Sequence, residues 1–323
     1  MTEKTYLTDA NCNGFSFGTG FKQCFHHESS QPKTLPEYAL VKDFVQQGDY
    51  EKQVILETLK FLYQFTFATR AQIERMLAQK GIDVADFDEL INKMLTNRYL
   101  NYFYLNQFVS EEPAPADAYI IYCMDFGAIA ILSHFSSSDS ITWFTTDCCR
   151  SSELIAKYLS TTEFYLSLAE ARGAAVQYFK PIFDVTYKHL NVRFSAAFAV
   201  THGYNTHSFI MESVRSHDLP IEWMDKVDRK ITPFSVQDKI WSKYFSNGEP
   251  VYLFLVENEQ DALTAADVFY RRTGKDNFRM ITDGEVAKGF AEADFLRYIP
   301  NADSEKVGTL QKVKAVVLSG NQD

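Results

Sequence analysis

The feature that most constrains the fold is a series of amphipathic segments that begins near residue 50. Glu51–Phe65 carries hydrophobic residues three and four positions apart, which is the spacing of a helix with one buried face. A second helix is predicted over Arg70–Lys80, because Thr69 and Gln72 form a capping box at its start. A third helix is predicted to start near Phe87, where hydrophobic residues again recur at helical spacing. Three helices in close succession therefore dominate this region.

Two strand-like segments follow these helices. Tyr99–Phe108 and Ala118–Cys123 are rich in aromatic and aliphatic residues, and an acidic stretch with two prolines separates them. Asp125 then predicts the cap of a further helix over Gly127–His134. Three helices and a hairpin, in this order, predict a winged helix-turn-helix over residues 50–135. In that fold the third helix usually enters the major groove of DNA, and the hairpin is the wing.

The predicted third helix and its neighbours carry polar side chains that could contact DNA. The candidates are Arg70, Arg75, Asn92, Lys93, Thr96, Asn97 and Arg98. Asn92, Thr96 and Asn97 would lie nearest the base edges, and the cations would contact phosphates. The acidic residues at the start of that helix and at the wing tip are Asp83, Asp86, Asp88, Glu89, Glu111, Glu112 and Asp117. Because carboxylates repel phosphates, the pattern leaves DNA binding and protein binding by this domain equally open.

The second half of the chain alternates helices with strands. The predicted elements are a helix over Ser151–Arg172, strands over Ala175–Tyr187, Val192–Val200 and His207–Val214, a helix between Ser235 and Phe245, a strand over Val251–Val256, a helix over Asp261–Arg272 and a strand over Phe278–Ile281. The continuous apolar run Val251–Val256 is typical of a strand that is buried on both faces. We therefore predict an α/β domain with a mixed sheet over residues 150–300, followed by a C-terminal tail over 301–323.

The densest group of cations lies at the end of the last predicted helix. Its members are Arg271, Arg272, Lys275 and Arg279. Cations are favoured at the C-terminus of a helix, so a solvated helix end explains the group without any ligand. The alternative is that these side chains contact the phosphates of DNA.

Several stretches of the chain share the layout of a known family. They are YIIYCMDFGAIAIL (Tyr119–Leu132), VRFSAAFAV (Val192–Val200), FIMESV (Phe209–Val214) and PVYLFLVENEQDALTAADVF (Pro250–Phe269). Spread over roughly residues 50–285, they resemble the replication-relaxation family of plasmid and mobile-element proteins. The resemblance implies a winged helix followed by a restriction-endonuclease-like domain.

The resemblance also implies where nuclease chemistry would lie. Nucleases of that fold use one carboxylate on a strand, a second on the next strand and a lysine two residues later, which together hold Mg²⁺ and position water. In this chain Ser195 takes the first position, Glu212 the second, and Val214 replaces the lysine. One carboxylate holds a metal poorly, so the resemblance implies a degenerate domain that is not an enzyme. Asp184 is the candidate replacement for the missing acid.

Composition and charge limit the class of protein further. The 323 residues are 46% hydrophobic and 23% charged, which is typical of a folded chain of about two domains. The formal net charge of −10 lacks the basic excess of proteins that bind DNA mainly through charge. No apolar run of membrane-spanning length and no signal-peptide pattern occur, so we expect a cytoplasmic protein without a membrane partner.

The N-terminal residues 1–36 differ from the rest of the chain. They are rich in glycine and phenylalanine without a regular period, and we expect a flexible arm that could dock on a partner. Cys12, Cys24, His26 and His27 are residue types that bind zinc, but their spacing matches no compact zinc motif. We therefore expect no metal and no cofactor.

Three functions remain open from the sequence. The first is a non-catalytic DNA-binding or DNA-associated accessory protein of a mobile element, acting on duplex DNA in replication, transfer or transcriptional control. The second is a protein-interaction or assembly module that uses the winged helix to dock a partner or to self-associate. The third is a divergent Mg²⁺-dependent nuclease that uses Glu212 and Asp184.

Overall fold

The computed structural model describes most of the chain, and the protein is mixed α/β with a mixed sheet. The described residues are 15, 20–27, 36–83, 87–106, 119–136, 141–303 and 305–319. They divide into two compact units: residues 20–162 belong to the first unit, and residue 15 with residues 163–319 belongs to the second. The glycines near residues 14–18, Cys12, the predicted cap at Asp86 and the acidic wing tip lie outside the described residues.

The first unit contains the predicted order of helices and hairpin. Its helices are α1 (Glu37–Val45), α2 (Asp49–Phe65), α3 (Arg70–Gln79), α4 (Phe87–Thr96) and α5 (Phe126–Phe135), and α6 (Ser152–Arg172) starts in this unit. Its strands are β1 (Lys22–Phe25), β2 (Ala68–Thr69), β3 (Leu100–Asn106) and β4 (Ile121–Met124). They pair in the order β1–β3–β4–β2, and each pair is antiparallel.

Local side-chain caps fix where two of these helices begin. The predicted capping box is confirmed: Thr69 Oγ1 accepts from the Gln72 amide at 3.2 Å, and Gln72 Oε1 accepts from the Thr69 amide at 3.1 Å. Asp125 caps α5, because its Oδ1 accepts from the Phe126 amide at 2.8 Å. Gly127 is the second residue of α5, and a Cβ there would lie 2.6 Å from the carbonyl oxygen of Arg98. Only glycine therefore allows α5 to approach that backbone so closely.

The structure places β1 inside the segment that we expected to be a flexible arm. Lys22–Phe25 pairs with β3 along its whole length. The Gln23 side chain donates to the Cys148 carbonyl at 2.8 Å and accepts from the Arg150 amide at 3.0 Å. Pairing of this kind depends on distant residues rather than on a hydrophobic period. The expectation of an arm without regular structure was therefore wrong for these four residues.

The second unit is built on a seven-stranded sheet. Its strands are β5 (Val176–Tyr187), β6 (Leu190–His202), β7 (Asn205–Val214), β8 (Val251–Val256), β9 (Phe278–Thr282), β10 (Phe295–Ile299) and β11 (Thr309–Val313). Its helices are α7 (Ile221–Lys226), α8 (Thr232–Ser235), α9 (Asp238–Trp241), α10 (Glu259–Thr273), α11 (Asp283–Ala287) and α12 (Val316–Ser319). A π-helical turn joins α7 to α8.

The order of strands explains why the sheet is mixed. It runs β11–β10–β9–β8–β7–β6–β5. The pairs β7–β8 and β8–β9 are parallel, whereas the remaining neighbours are antiparallel. The carboxyl ends of β7, β8 and β9 therefore lie at the same edge. In open α/β sheets that edge is the usual place for a binding site.

Aromatic packing covers both faces of this sheet. On one face the rings of Trp223 and Phe254 lie 5.1 Å apart, and Trp223 Nε1 donates to the Ala265 carbonyl of α10 at 3.0 Å. On the other face Phe164 of α6 contacts the rings of Phe198 and Phe290. Each strand in the centre is consequently buried on both sides, as the apolar run of β8 predicts.

Two predictions about the second half need correction. The predicted tail contains β11, which continues the sheet by pairing with β10, and the short helix α12. The helix predicted between Ser235 and Phe245 is present but short, because α9 forms a single turn and α8 already ends at Ser235. Among the residues that the structure describes, no helix combines the length and the apolar character needed to cross a membrane.

Candidate functional site

The outward face of α4 is the surface that the sequence predicts as the DNA contact. Asn92 and Thr96 are exposed one turn apart, and Thr96 Oγ1 donates to the Asn92 carbonyl at 2.9 Å. Asp88 and Glu89 are exposed at the start of the same helix. The apolar residues of α4 point the other way and are buried. The helix thus presents two uncharged polar side chains next to two carboxylates.

The candidate cation Arg70 is bound to carboxylates. Its Nε donates to Glu74 at 2.7 Å, and its Nη1 donates to Asp88 of α4. These hydrogen bonds, first to Glu74 and then to Asp88, raise the pKa of Arg70. Ion pairs this exposed contribute no more than about 1 kcal/mol each, so a phosphate could displace them at modest cost. Arg75, one turn further along α3, is partly buried and interacts with other groups of the protein.

Lys93 and Asn97 bind groups on the preceding helices. The Lys93 ammonium donates to the side-chain oxygen of Gln47 and lies 3.5 Å from Glu51 Oε1. Asn97 Nδ2 donates to Asp43 Oδ2 at 2.9 Å. Both side chains therefore attach α4 to the end of α1, to the start of α2 and to the segment between them. Asn92 and Thr96 are more exposed.

Arg98 does not lie where a DNA contact requires it. The residue is 8% exposed, and its guanidinium donates twice to Asp125, from Nε at 2.5 Å and from Nη2 at 3.2 Å. Its Cζ also lies 4.8 Å from the centre of the Phe126 ring. A buried guanidinium with these contacts joins the end of α4 to the start of α5. The expectation that Arg98 contacts DNA is therefore replaced by a structural role.

Three members of the cation group at the end of α10 have carboxylate partners. Arg271 Nε donates to Asp267 at 2.7 Å, and the guanidinium of Arg272 lies 3.3 Å from Asp228. Lys275 donates to Glu249. These three contacts fit the interpretation of a self-neutralised helix end. Arg279 differs, because its Nη1 donates to the neighbouring backbone carbonyl of Phe278, at 2.7 Å, and no carboxylate of the described residues pairs with it.

The candidate nuclease residues are not assembled into one site. Asp184 on β5 accepts two hydrogen bonds from Arg193, at 2.9 and 3.1 Å. Glu212 on β7 is buried and forms an ion pair with Lys226 of α7. β6 lies between the two strands. Among the described residues, no group of three histidine, cysteine or acidic side chains is placed to hold a metal ion.

A second polar cluster, which the sequence analysis did not identify, lies at the carboxyl ends of β7, β8 and β9. Arg215 is completely buried and donates twice to Asp283, at 2.5 and 3.2 Å. Burial lowers the pKa of Arg215, but Asp283 outweighs it and the net shift is upward. Ser216 contacts both Glu257 and Asp261. One polar residue follows each of three buried strands, and this sequence signal could have revealed the cluster.

The cluster of Arg215, Ser216, Glu257, Asp261 and Asp283 holds an excess of carboxylates. Burial raises the pKa of Asp261, and the nearby Glu257 raises it further. Ser216 has one hydroxyl proton but lies within hydrogen-bond distance of both acids, 2.7 Å from Glu257 Oε2. Both contacts are hydrogen bonds only when one carboxyl is protonated. The contacts of Ser216 and the raised pKa therefore both favour the protonated form of Asp261 over that of an exposed aspartate.

We expect Asp261→Asn to change how stability depends on pH. A carboxyl whose pKa is raised on folding stabilises the protein below its unfolded pKa, and this contribution is lost as pH rises through the folded pKa. The substituted amide can donate to Ser216 at every pH. Urea unfolding at pH 4 and pH 7 should show the variant gaining about 0.5 kcal/mol relative to wild type on going to the higher pH, a small value because Asp261 is only partly buried. A difference that is the same at both pH values would contradict the shared proton.

Histidine and cysteine side chains at the start of the chain are committed to the first unit. The His26 ring stacks on Tyr102, with ring centres 4.5 Å apart. The His27 Nε2 atom lies 3.1 Å from the Leu95 carbonyl oxygen, and Cys24 lies on β1. These side chains pack against β3 and α4, where their role is structural.

Comparison of the chain with protein-family models, with curated proteins and with solved structures gave no match. The resemblance to the replication-relaxation family rests on the four stretches quoted above.

Proposed function

We propose that this protein is a non-catalytic, DNA-associated accessory protein whose first unit is a winged helix. The observation that carries the proposal is the pairing of β2, which immediately precedes α3, with β4 of the hairpin. This pairing attaches the hairpin beside the helices in the way that a wing is attached. A winged helix binds duplex DNA by placing its third helix in the major groove. Counted from α2, the third helix of the proposed winged helix is α4.

The charges of α3 and α4 determine what kind of binding is expected. Arg70 and Lys93 are already neutralised, so the charge-driven part of the affinity is small. Asn92 and Thr96 are the exposed groups that can donate to base edges. We therefore expect weak binding to mixed-sequence DNA, with a dissociation constant of about 10⁻⁴–10⁻⁶ M, and tighter binding to a particular site.

The environment of the nuclease positions supports a non-catalytic second unit. Asp184 is bound to Arg193 of β6, and Glu212 is bound to Lys226 of α7. A metal at either position would have to displace Arg193 or Lys226, and the described residues supply no group of three ligands for it there. The resemblance to the replication-relaxation family supports a context of replication, transfer or transcriptional control on a mobile element.

Fluorescence anisotropy with a labelled duplex tests the proposed function. Wild-type protein should bind, and the affinity should fall as salt rises from about 50 to about 200 mM. Asn92→Glu and Thr96→Glu should each weaken binding at least tenfold, because a new carboxylate on α4 would face the DNA. Gln53→Glu is the matched control: Gln53 is exposed on α2, so the same charge is added away from α4. Its affinity should stay within a factor of two of wild type.

Two results would overturn the proposal. The first is wild-type protein that fails to bind duplex DNA even at low salt. The second is equal loss of binding in the α2 and α4 variants, because that result would mean that net charge alone matters. Cleavage of the duplex in the presence of Mg²⁺ would instead support the nuclease hypothesis, and Glu212→Gln would then abolish the cleavage.

Self-association is a second candidate function, and an exposed apolar surface on α1 and α5 favours it. Tyr38 is 74% exposed and Val45 is 51% exposed on α1, and Phe135 is 38% exposed on α5. Tyr38 also lines a groove on this surface, together with Glu37 and Lys42. A two-fold pairing of α1 with α1 of a second copy would set Glu37 opposite Lys42 in both directions, which makes a second copy the occupant we propose.

Light scattering at several protein concentrations tests self-association through this groove. Wild-type protein should form a dimer, and Tyr38→Glu should shift it to monomer because the new charge would be buried in the interface. Tyr204→Glu is the control, since Tyr204 is fully exposed on the turn between β6 and β7 of the second unit. A wild-type monomer at all concentrations would exclude this second candidate.

A further inference from the structure

Two arginines face each other across β9 and β10 of the second unit. Leu296 pairs with Met280 in the antiparallel register, which places Arg297 opposite Arg279 one residue further along. Like charges that lie opposite each other on neighbouring strands are destabilising. Burial lowers the pKa of Arg279, and Arg297 lowers it further. The two guanidinium groups are thus close enough to repel.

The surroundings of the pair contain little to offset this repulsion. Neither guanidinium has a carboxylate within hydrogen-bond distance in the part of the chain that the structure describes. Asp276 acts on Arg279 only at longer range. The residues in register on the flanking strands are uncharged, Leu253 on β8 and Gln311 on β11. In that part of the chain neither arginine therefore forms an ion pair, in contrast to Arg271 and Arg272.

The side chains around the pair leave it open to a ligand. Arg297 and Gln311 are exposed, and Arg279 is half-buried, so one guanidinium is held in place while the other stays accessible. Ile299, two residues beyond Arg297 on the same face, is 37% exposed, so the residues that the structure describes leave this end of the sheet uncovered. An arginine fork matches the oxygen geometry of a phosphate, and two forks can bind one phosphate group together.

We propose that Arg279 and Arg297 form a phosphate-binding site on the sheet of the second unit, with the Gln311 amide as a further donor. The identity of its biological ligand rests on the proposed function: the ligand would be a backbone phosphate of the bound DNA. A single phosphate would relieve the repulsion between the arginines and gain hydrogen bonds from both. The site extends the candidate Arg279 to a residue that the sequence analysis did not consider, Arg297.

The double variant Arg279→Gln/Arg297→Gln tests the site in the anisotropy assay described above. Loss of one phosphate contact should reduce the affinity about tenfold and lower the slope of log affinity against log salt by about 1. The double variant Arg271→Gln/Arg272→Gln is the matched control. It removes the same net charge from arginines that already have carboxylate partners, so its salt slope should equal that of wild type. Circular dichroism spectra confirm that both variants are folded.

Inorganic phosphate provides a second test of the site, which does not depend on DNA. Phosphate should raise the thermal midpoint of wild-type protein and of the control variant, but not that of Arg279→Gln/Arg297→Gln, at matched ionic strength set with chloride. Stabilisation by phosphate without any duplex binding would support the site as one for small phosphates and would overturn the proposed function. Duplex binding with an unchanged salt slope in the test variant, together with no phosphate effect that requires these arginines, would overturn the site alone. No binding of either ligand would overturn both.

Discussion

Replacing Asp125 by alanine is expected to destabilise the first unit by about 3–5 kcal/mol. The carboxylate is 3% exposed and accepts both hydrogen bonds from Arg98 and the bond that caps α5. Without it the guanidinium stays buried without a counter-charge, because Gly127 keeps α5 packed against the backbone at Arg98. Urea unfolding checks the value, with the reactivity of the buried Cys123 thiol reporting on this unit.

Two further variants separate the charge effect from a loss of packing. Arg98→Met/Asp125→Asn removes both charges and retains a side chain that can cap α5, so it should be more stable than Asp125→Ala alone. Arg70→Ala breaks exposed ion pairs on α3 and should cost at most about 1 kcal/mol. If Asp125→Ala costs no more than Arg70→Ala, the ion pair of Arg98 is not essential to the first unit.

Elements that depend on local patterns could be predicted from the sequence. The strand Val251–Val256 has the predicted bounds, and α10 begins two residues before and ends one residue after its predicted limits. The caps at Thr69 and Asp125 are also where local chemistry places them. Hydrophobic period and side-chain capping act over a few residues, which is why these features can be read from the sequence without knowledge of the fold.

Elements that depend on distant partners could not be predicted in this way. β1 and β11 are short edge strands, β1 of the four-stranded sheet and β11 of the seven-stranded sheet. Neither has a hydrophobic period of its own. Each is defined by the backbone groups of its neighbour, β3 or β10. The hydrophobic pattern does not report such pairing, so these residues read as an arm and a tail.

The candidate site residues were identified by type, but their partners decide what they do. Nothing local marks Arg98 as the partner of Asp125, 27 residues away, rather than of a phosphate. The same holds for Arg279, which differs from Arg271 and Arg272 because no carboxylate within the described ranges pairs with it. A basic cluster in a sequence gives the number of charges, whereas the fold determines which of them remain uncompensated.

Asp283→Ala is expected to destabilise the second unit by about 3–5 kcal/mol, because it leaves Arg215 charged and completely buried. The two residues are 68 positions apart, and their ion pair ties the ends of β7 and β9 together. Arg215 also donates to the Leu255 carbonyl at 3.1 Å, so the side chain cannot leave without losing that bond. Urea unfolding, followed by the fluorescence of the buried Trp223 and Trp241, measures the loss in this unit.

The outcome also reports on the acidic excess of the cluster. Glu257 already acts on Arg215 electrostatically, so it can take over part of the counter-charge and bring the cost towards the lower limit. Asp283→Ala/Glu257→Gln removes this compensation and should cost more than the sum of the two single variants. Asp294→Ala breaks the more exposed pair with Lys314 and should destabilise the protein much less than Asp283→Ala does. Additive single and double variants would mean that Glu257 does not share the charge of Arg215, and the carboxylates at this edge would then act independently.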